Sequence, residues 1–154
     1  MDNDEVVSTL NNLIETCKDG EYGFRSCAEN VDSDDLAVFF NQRAEQCRQA
    51  AAELQQQVAA YGGKPDTSGS VSGAMHRGWV AVRSTLSTYD DLAVLKECER
   101  GEDVAVMSYR KALEKPLPEP VRTIVQRQYE GCQRNYEQVC ALRDRQQTTT
   151  STGM

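Results

Sequence analysis

The sequence predicts an all-α protein: a four-helix bundle with a short fifth helix in the crossover between two helical hairpins. Apolar side chains recur at the three- and four-residue spacing that gives a helix one buried stripe. Residues that favour helices, such as Ala, Gln, Glu, Arg and Leu, are plentiful. The four prolines interrupt none of the periodic segments, so that strands have little support.

The first two periodic segments are long and form the first predicted hairpin. Residues 4–28 carry an acidic first turn, which suits the positive end of the helix dipole. A cap at Asp32 or Ser33 precedes the second helix, whose apolar seam continues to Tyr61. The glycines and proline of residues 62–66 then end it.

The order of the remaining segments predicts the connectivity. A short helix over residues 74–86 follows a Gly/Ser-rich loop, and long helices over residues 91–113 and 119–143 follow it. The order long, long, short, long, long places the short helix in the single long crossover of a ferritin-like bundle. We expect one domain over residues 1–145 and a disordered polar tail over residues 146–154.

Charge and composition exclude several classes of partner. The formal net charge of −7 and the pI near 4.8 repel nucleic acid and anionic membrane surfaces. No apolar run approaches the roughly 20 residues of a membrane helix, and the first residues do not resemble a signal peptide. We therefore expect a cytoplasmic protein whose six cysteines are reduced thiols.

Several short strings of residues resemble a known family. They are His-Arg-Gly-Trp at residues 76–79 and Glu-Cys-Glu-Arg-Gly-Glu-Asp at residues 97–103, with Lys-Asp-Gly at 18–20 and Gly-Phe-Arg at 23–25. Together they resemble a bacterial four-helix-bundle family of the ferritin-like superfamily, the domain of unknown function 2383, from about residue 5 to residue 144. The resemblance implies the fold and a loose link to stress responses. It brings no catalytic residues.

The residues of a standard di-iron centre are incomplete. Such a centre takes a Glu from each of two helices and a Glu-x-x-His pair from each of the other two. The chain has a single histidine, His76, with no Glu three residues before it. A helix-packing hydrogen bond is a simpler role for His76 than metal ligation.

Charged residues on the buried stripes give a first candidate site. Glu102 and Glu21 fall on inward faces, and with Glu99, Arg43 and Asn135 they lie within roughly one turn of the same height. A layer of Glu21, Glu99 and Glu102 could hold Mn²⁺, Mg²⁺ or Fe²⁺ through oxygen ligands. The alternative, which we favour, is a buried ion pair of Arg43 with Glu102 or Glu21 that fixes helix register.

Cysteines give a second candidate site. Four of them lie on inward faces near the middles of the long helices: Cys17, Cys47, Cys98 and Cys132. Converging thiolates would suit Cu(I) or Zn²⁺. No Cys-x-x-Cys pair anchors such a site, and we favour the alternative that these cysteines are small buried hydrophobes. Cys27 and Cys140 are nearer helix ends, where we expect partial exposure.

The sequence favours a non-enzymatic bundle with outer faces suited to a homodimer, for which the family resemblance implies a stress-related role. No nucleophile motif or phosphate-binding loop occurs. The main alternative is a metal-binding or metal-storage protein that uses the core carboxylates or the core thiolates. An oxygen-using di-metal enzyme has the least support. Apart from a divalent metal or Cu(I), we expect no cofactor, and no small-molecule substrate, nucleic acid or membrane partner is indicated.

Overall fold

Four helices make up the described part of this computed structural model, which comprises residues 1–66 and 90–152. Their bounds are Asn3–Asn30 for α1, Asp34–Ala60 for α2, Asp91–Leu113 for α3 and Glu119–Thr152 for α4. No strand occurs in these two stretches. The predicted all-α class is therefore confirmed, and the four long predicted helices are all present.

Side chains cap the N-termini of three of the helices. The Asp2 carboxylate accepts a backbone N–H from the first turn of α1 at 2.8 Å. Ser33, one of the two predicted caps, accepts a backbone N–H of α2 through its hydroxyl at 3.3 Å, and Asp90 does the same for α3 at 3.0 Å. Each cap satisfies an N–H group that has no partner within the helix.

A glycine pair ends α2 and allows the chain to approach α1. The Gly62 amide donates to the Ala59 carbonyl and the Gly63 amide to the Val58 carbonyl, each at 3.0 Å, as in a Schellman motif. Gly62 has a φ of +77°, which favours glycine. A Cβ on Gly63 would lie 2.6 Å from both methyl carbons of Val7. This position therefore requires a residue without a side chain.

The last helix extends beyond its predicted end. α4 continues to Thr152, whereas the sequence predicts an end near Arg143 and a disordered tail from Gln146. No Gly or Pro occurs between these points to stop the helix. The hydroxyl of Thr148 donates to the Asp144 carbonyl at 2.9 Å, which is one turn back along the helix.

Neighbouring helices run antiparallel. α1 packs against α2 and α3, and α3 packs against α4. Contacts of Cys27 with Cys98 and of Cys17 with Tyr109 show that α1 and α3 run in opposite directions. It follows that α2 and α3 are parallel and lie diagonally across the bundle.

Parallel α2 and α3 require a long connection between them. The carboxylate of Asp91 accepts the backbone amides of Asp32 and Ser33, at 2.8 and 3.3 Å, so that α3 begins beside the start of α2. The end of α2 and the start of α3 therefore lie at opposite ends of the bundle, separated by the length of α2, about 40 Å for its 27 residues. Parallel second and third helices are typical of a ferritin-like bundle. The predicted helix of residues 74–86, with His76, lies outside the described residues.

Two apolar clusters form the core, one towards each end of the bundle. The first contains side chains such as Leu10, Ile14, Leu54, Val58 and Val125. The second contains side chains such as Phe24, Phe40, Leu95 and Val139. Buried Arg43 and Glu102 lie at the junction of the two clusters. No described helix combines the length and the apolar composition that crossing a bilayer requires.

Candidate functional site

An ion pair occupies the centre of the bundle. Arg43 of α2 donates through Nε to Oε1 of Glu102 at 2.5 Å and through Nη2 to Oε2 at 3.2 Å. The two side chains are 7% and 0% exposed. Burial raises the pKa of the Glu102 carboxyl above its usual range, and the charge and hydrogen bonds of Arg43 oppose that rise. Of the two predicted partners for Arg43, the structure selects Glu102.

Three thiols surround this ion pair. Arg43 Nη1 lies 3.4 Å from Cys47 Sγ, and Nη2 lies 3.9 Å from Cys132 Sγ. Cys17 Sγ is 3.2 Å from the Tyr109 hydroxyl. Burial raises the pKa of Cys47 to about 11 and that of Cys132 to about 12, and it raises the pKa of Cys17 further. The three thiols are therefore protonated at neutral pH.

A chain of hydrogen bonds leads from Tyr109 to the surface. The Tyr109 hydroxyl donates to Gln128 Oε1 at 2.7 Å, and Gln128 Nε2 donates to Glu53 Oε1 at 2.7 Å and to the Ala50 carbonyl at 3.4 Å. Arg127 completes the chain with an ion pair to Glu53. Among the described residues, no buried side-chain nitrogen or oxygen lacks a hydrogen-bond partner. The polar core is fully satisfied, as a stable buried network requires.

A cleft of about 700 Å³ opens between α2 and α4 and reaches the ion pair. Polar side chains span the gap between these two helices, for example Asn135 Nδ2 to Gln46 Oε1 at 3.2 Å. The floor of the cleft includes the central ion pair, the three thiols and the Tyr109 hydroxyl. Amide and arginine side chains form its rim: Gln46, Gln49, Arg127, Arg134, Asn135 and Gln138.

The three candidate carboxylates do not converge. Glu21 pairs with Lys18 at 3.8 Å and with Arg25 at 3.6 Å on the outer side of α1 and α2. Glu99 pairs with Arg143 of α4 at 2.5 Å, and Glu102 faces the central guanidinium. Within the described chain, no group of three or more His, Cys, Asp or Glu residues has a metal-binding arrangement. These residues do not fit a ferritin-type di-metal centre.

The candidate cysteines are likewise divided. Cys17, Cys47 and Cys132 line the same cleft, whereas Cys98 lies away from it. Cys98 Sγ instead lies 3.0 Å from Cys27 Sγ, between α3 and α1. The expected partial exposure of Cys27 is wrong, because this side chain faces α3 and is 0% exposed. The expected partial exposure of Cys140 is confirmed.

The comparisons with known proteins identify the family. Residues 5–115, which include α2, α3 and nearly all of α1, match the model of the family described as Domain of unknown function (DUF2383). The chain belongs to this family. The resemblance carried by the sequence motifs is thereby confirmed. No curated protein shows significant sequence similarity to this DUF2383 chain.

A solved structure confirms the fold. The DUF2383 chain is similar to a Dps1 mutant of Mycobacterium smegmatis, with a TM-score of 0.72 and 17% sequence identity. The alignment covers 92% of this chain and 96% of the Dps1 chain. At this identity the likeness establishes the architecture alone, a ferritin-like four-helix bundle.

Proposed function

We propose that this DUF2383 protein is a non-enzymatic bundle protein whose buried polar layer fixes the register of its helices. This layer consists of the Arg43–Glu102 ion pair and the three thiols around it. The observation that carries the proposal is the two-point contact between Arg43 and Glu102, which joins the diagonal helices α2 and α3. The family resemblance supports a stress-related role for the bundle.

Burial makes the ion pair sensitive to helix position. A slide of α2 against α3 by one turn, about 5.4 Å, would separate the two charged groups. Each would then be an unpaired charge in apolar surroundings, which is strongly destabilising. Apolar stripes alone tolerate such a slide much better, because one apolar neighbour resembles another. The charged pair therefore supports a single alignment of the helices.

The protonation of the thiols and the positive charge of Arg43 support a structural role for the polar layer over a catalytic one. A cysteine nucleophile reacts as the thiolate, and the raised pKa values of Cys47 and Cys132 keep both as thiols. The Arg43 guanidinium also places a positive charge where a metal ion bound to Glu102 would lie. Coulomb repulsion in this buried environment opposes a second cation.

Elemental analysis of protein purified without added chelator tests the proposal. We expect no stoichiometric metal, either with or without reductant, because the three carboxylates are engaged by separate cations. A bound metal that is lost in Glu21→Ala, Glu99→Ala or Glu102→Ala would overturn the proposal in favour of a carboxylate site. Glu45→Ala is the control, since that carboxylate is exposed and pairs with Arg48.

A second candidate function is the binding of Cu(I) or another soft metal ion. Cys17, Cys47 and Cys132 line a single cleft, and soft ions prefer thiolate ligands. Their sulfur atoms have no metal-binding arrangement in this structure, so that binding would require the three side chains to move together. Binding would release the thiol protons, so that affinity should rise with pH. A Cu(I) titration against a competing chelator tests this, with Cys140→Ala as the control for Cys47→Ala. Equal affinity of these two variants would reject the thiol site.

A further inference from the structure

Two cysteines outside the cleft lie in direct contact with each other. Cys27 is in the last turn of α1, and Cys98 is in the first half of α3. Their sulfur atoms are 3.0 Å apart, and both side chains are fully buried. Apolar residues such as Phe24, Phe40 and Leu95 surround them. Neither the polar layer nor the cleft uses this pair.

The other four free cysteines contact groups of a different kind. Cys17 contacts the Tyr109 hydroxyl, Cys47 and Cys132 contact the Arg43 guanidinium, and Cys140 contacts the Glu99 carboxylate. These hydrogen bonds hold each sulfur towards a polar partner. Cys27 and Cys98 instead have each other's thiol as the polar neighbour. An oxidant that acts on the thiols therefore has a preferred pair.

We propose that Cys27 and Cys98 form an oxidative modification site, at which hydrogen peroxide converts the two thiols into a disulfide between α1 and α3. The Cys27 thiol gives up its proton, its thiolate attacks one peroxide oxygen, the O–O bond breaks, and a sulfenic acid forms. The hydroxide that leaves takes up the proton released by Cys27 and becomes water. The sulfur of Cys98 then attacks the sulfenic sulfur, the S–O bond breaks, and the leaving hydroxide takes up the Cys98 thiol proton as a second water. Two thiols are oxidised and one peroxide is reduced.

The positions of Cys27 and Cys98 within their helices indicate which of the two thiols reacts first. Helix ends open more readily than helix interiors, so that Cys27 becomes accessible first. Cys98 lies well inside α3 and resolves the sulfenic acid. A disulfide has an S–S bond of about 2.05 Å, and the sulfur atoms need to approach by only about 1 Å to form it. Side-chain rotation with a small helix displacement supplies this movement.

The cross-link would tie together two helices that are distant in sequence. The closed loop runs from residue 27 to residue 98 and contains all of α2. Closing a loop of this length lowers the entropy of the unfolded chain. The oxidised protein should therefore unfold at a higher denaturant concentration than the reduced protein, and a thiol reductant should reverse the difference.

Peroxide treatment of the full chain tests the proposal. The treated protein is unfolded in excess alkylating reagent, and its intact mass and proteolytic peptides are measured. We expect four of the six cysteines to be alkylated, with a peptide that links Cys27 to Cys98. After reduction, all six should be alkylated.

Single variants provide the controls. Cys27→Ala should keep all remaining cysteines available for alkylation after peroxide treatment, whereas Cys98→Ala should leave Cys27 as a sulfenic acid and yield no linked peptide. Cys132→Ala, which removes a buried cysteine of the cleft, should still form the linked peptide. A linked peptide between any other pair, or six alkylated cysteines in the treated wild-type protein, would overturn the proposal. The wild-type peptides decide this even if a variant fails to fold.

Discussion

At the scale of single residues, the Arg43 side chain shows what a buried charge requires. Its guanidinium gives two hydrogen bonds to Glu102 and further contacts to Gln46 at 3.5 Å and to the Cys47 sulfur at 3.4 Å. It also lies over the Phe24 ring, 5.2 Å from the ring centroid, where the cation and the ring attract each other. The layer thus compensates the cost of removing the charge from water.

Glu102→Gln tests the strength of this arrangement. The amide keeps one acceptor but removes the negative charge, so that Arg43 remains buried without a counter-ion. We expect the free energy of unfolding to fall by about 1 to 3 kcal/mol, measured by urea denaturation.

Glu97→Gln is the matched control on the same helix. Glu97 pairs with Arg100 at the surface, where removal of an ion pair should change stability by less than about 1 kcal/mol. An unchanged midpoint for the Glu102 variant would show that the buried pair does not stabilise the fold.

The sequence predicts part of this layer, and the limit has a physical reason. Helical spacing places Glu102 on a buried stripe and Arg43 at the same height, which is enough to predict an ion pair. It cannot choose between Glu102 and Glu21, because that choice depends on side-chain rotamers and on the exact rotation of α1. The same rotation decides that Cys27 meets Cys98. Periodicity alone therefore missed this contact.

At the scale of helices, Gly63 controls how closely the end of α2 approaches α1. Gly63→Ala would place a methyl group 2.6 Å from the methyl carbons of Val7. Val7 is β-branched and cannot easily rotate away. We expect a loss of about 1 to 3 kcal/mol of unfolding free energy, because the helix ends must separate.

A double-mutant cycle with Val7→Ala isolates this contact. In the Val7→Ala background the new methyl group has space, so that Gly63→Ala should cost clearly less than in the wild-type chain. The measurement is again the denaturation midpoint. Equal costs in both backgrounds would assign the effect of Gly63→Ala to the backbone and would contradict the steric explanation.

Helix ends were predictable where the chain carries a local signal. Ser33 caps α2 and the glycines at 62 and 63 end it, as their residue types predict. α4 lacks such a signal after Arg143, where no glycine or proline occurs before residue 153. The apolar stripe of α4 stops near this point because the helix leaves the core there, although the helix itself continues to Thr152.

At the scale of the whole molecule, the buried thiols couple stability to pH. Burial raises the pKa of Cys47 to about 11 and of Cys132 to about 12, and it also raises the pKa values of Cys17 and Cys98. In the unfolded chain these thiols lose their protons near pH 9. Between about pH 9 and pH 11 the folded state therefore binds more protons than the unfolded state.

Stability should accordingly be unaffected by these thiols below pH 9 and should fall as pH rises through this window. Each thiol that stays protonated in the fold contributes a slope of about −1.4 kcal/mol per pH unit. Urea midpoints measured across the window should show a shallower slope for Cys47→Ala than for the wild-type chain. Cys140→Ala should stay closer to the wild-type slope, because that thiol is only half-buried. Identical slopes for the wild type and Cys47→Ala would mean that the Cys47 thiol ionises equally easily in the folded and unfolded chains.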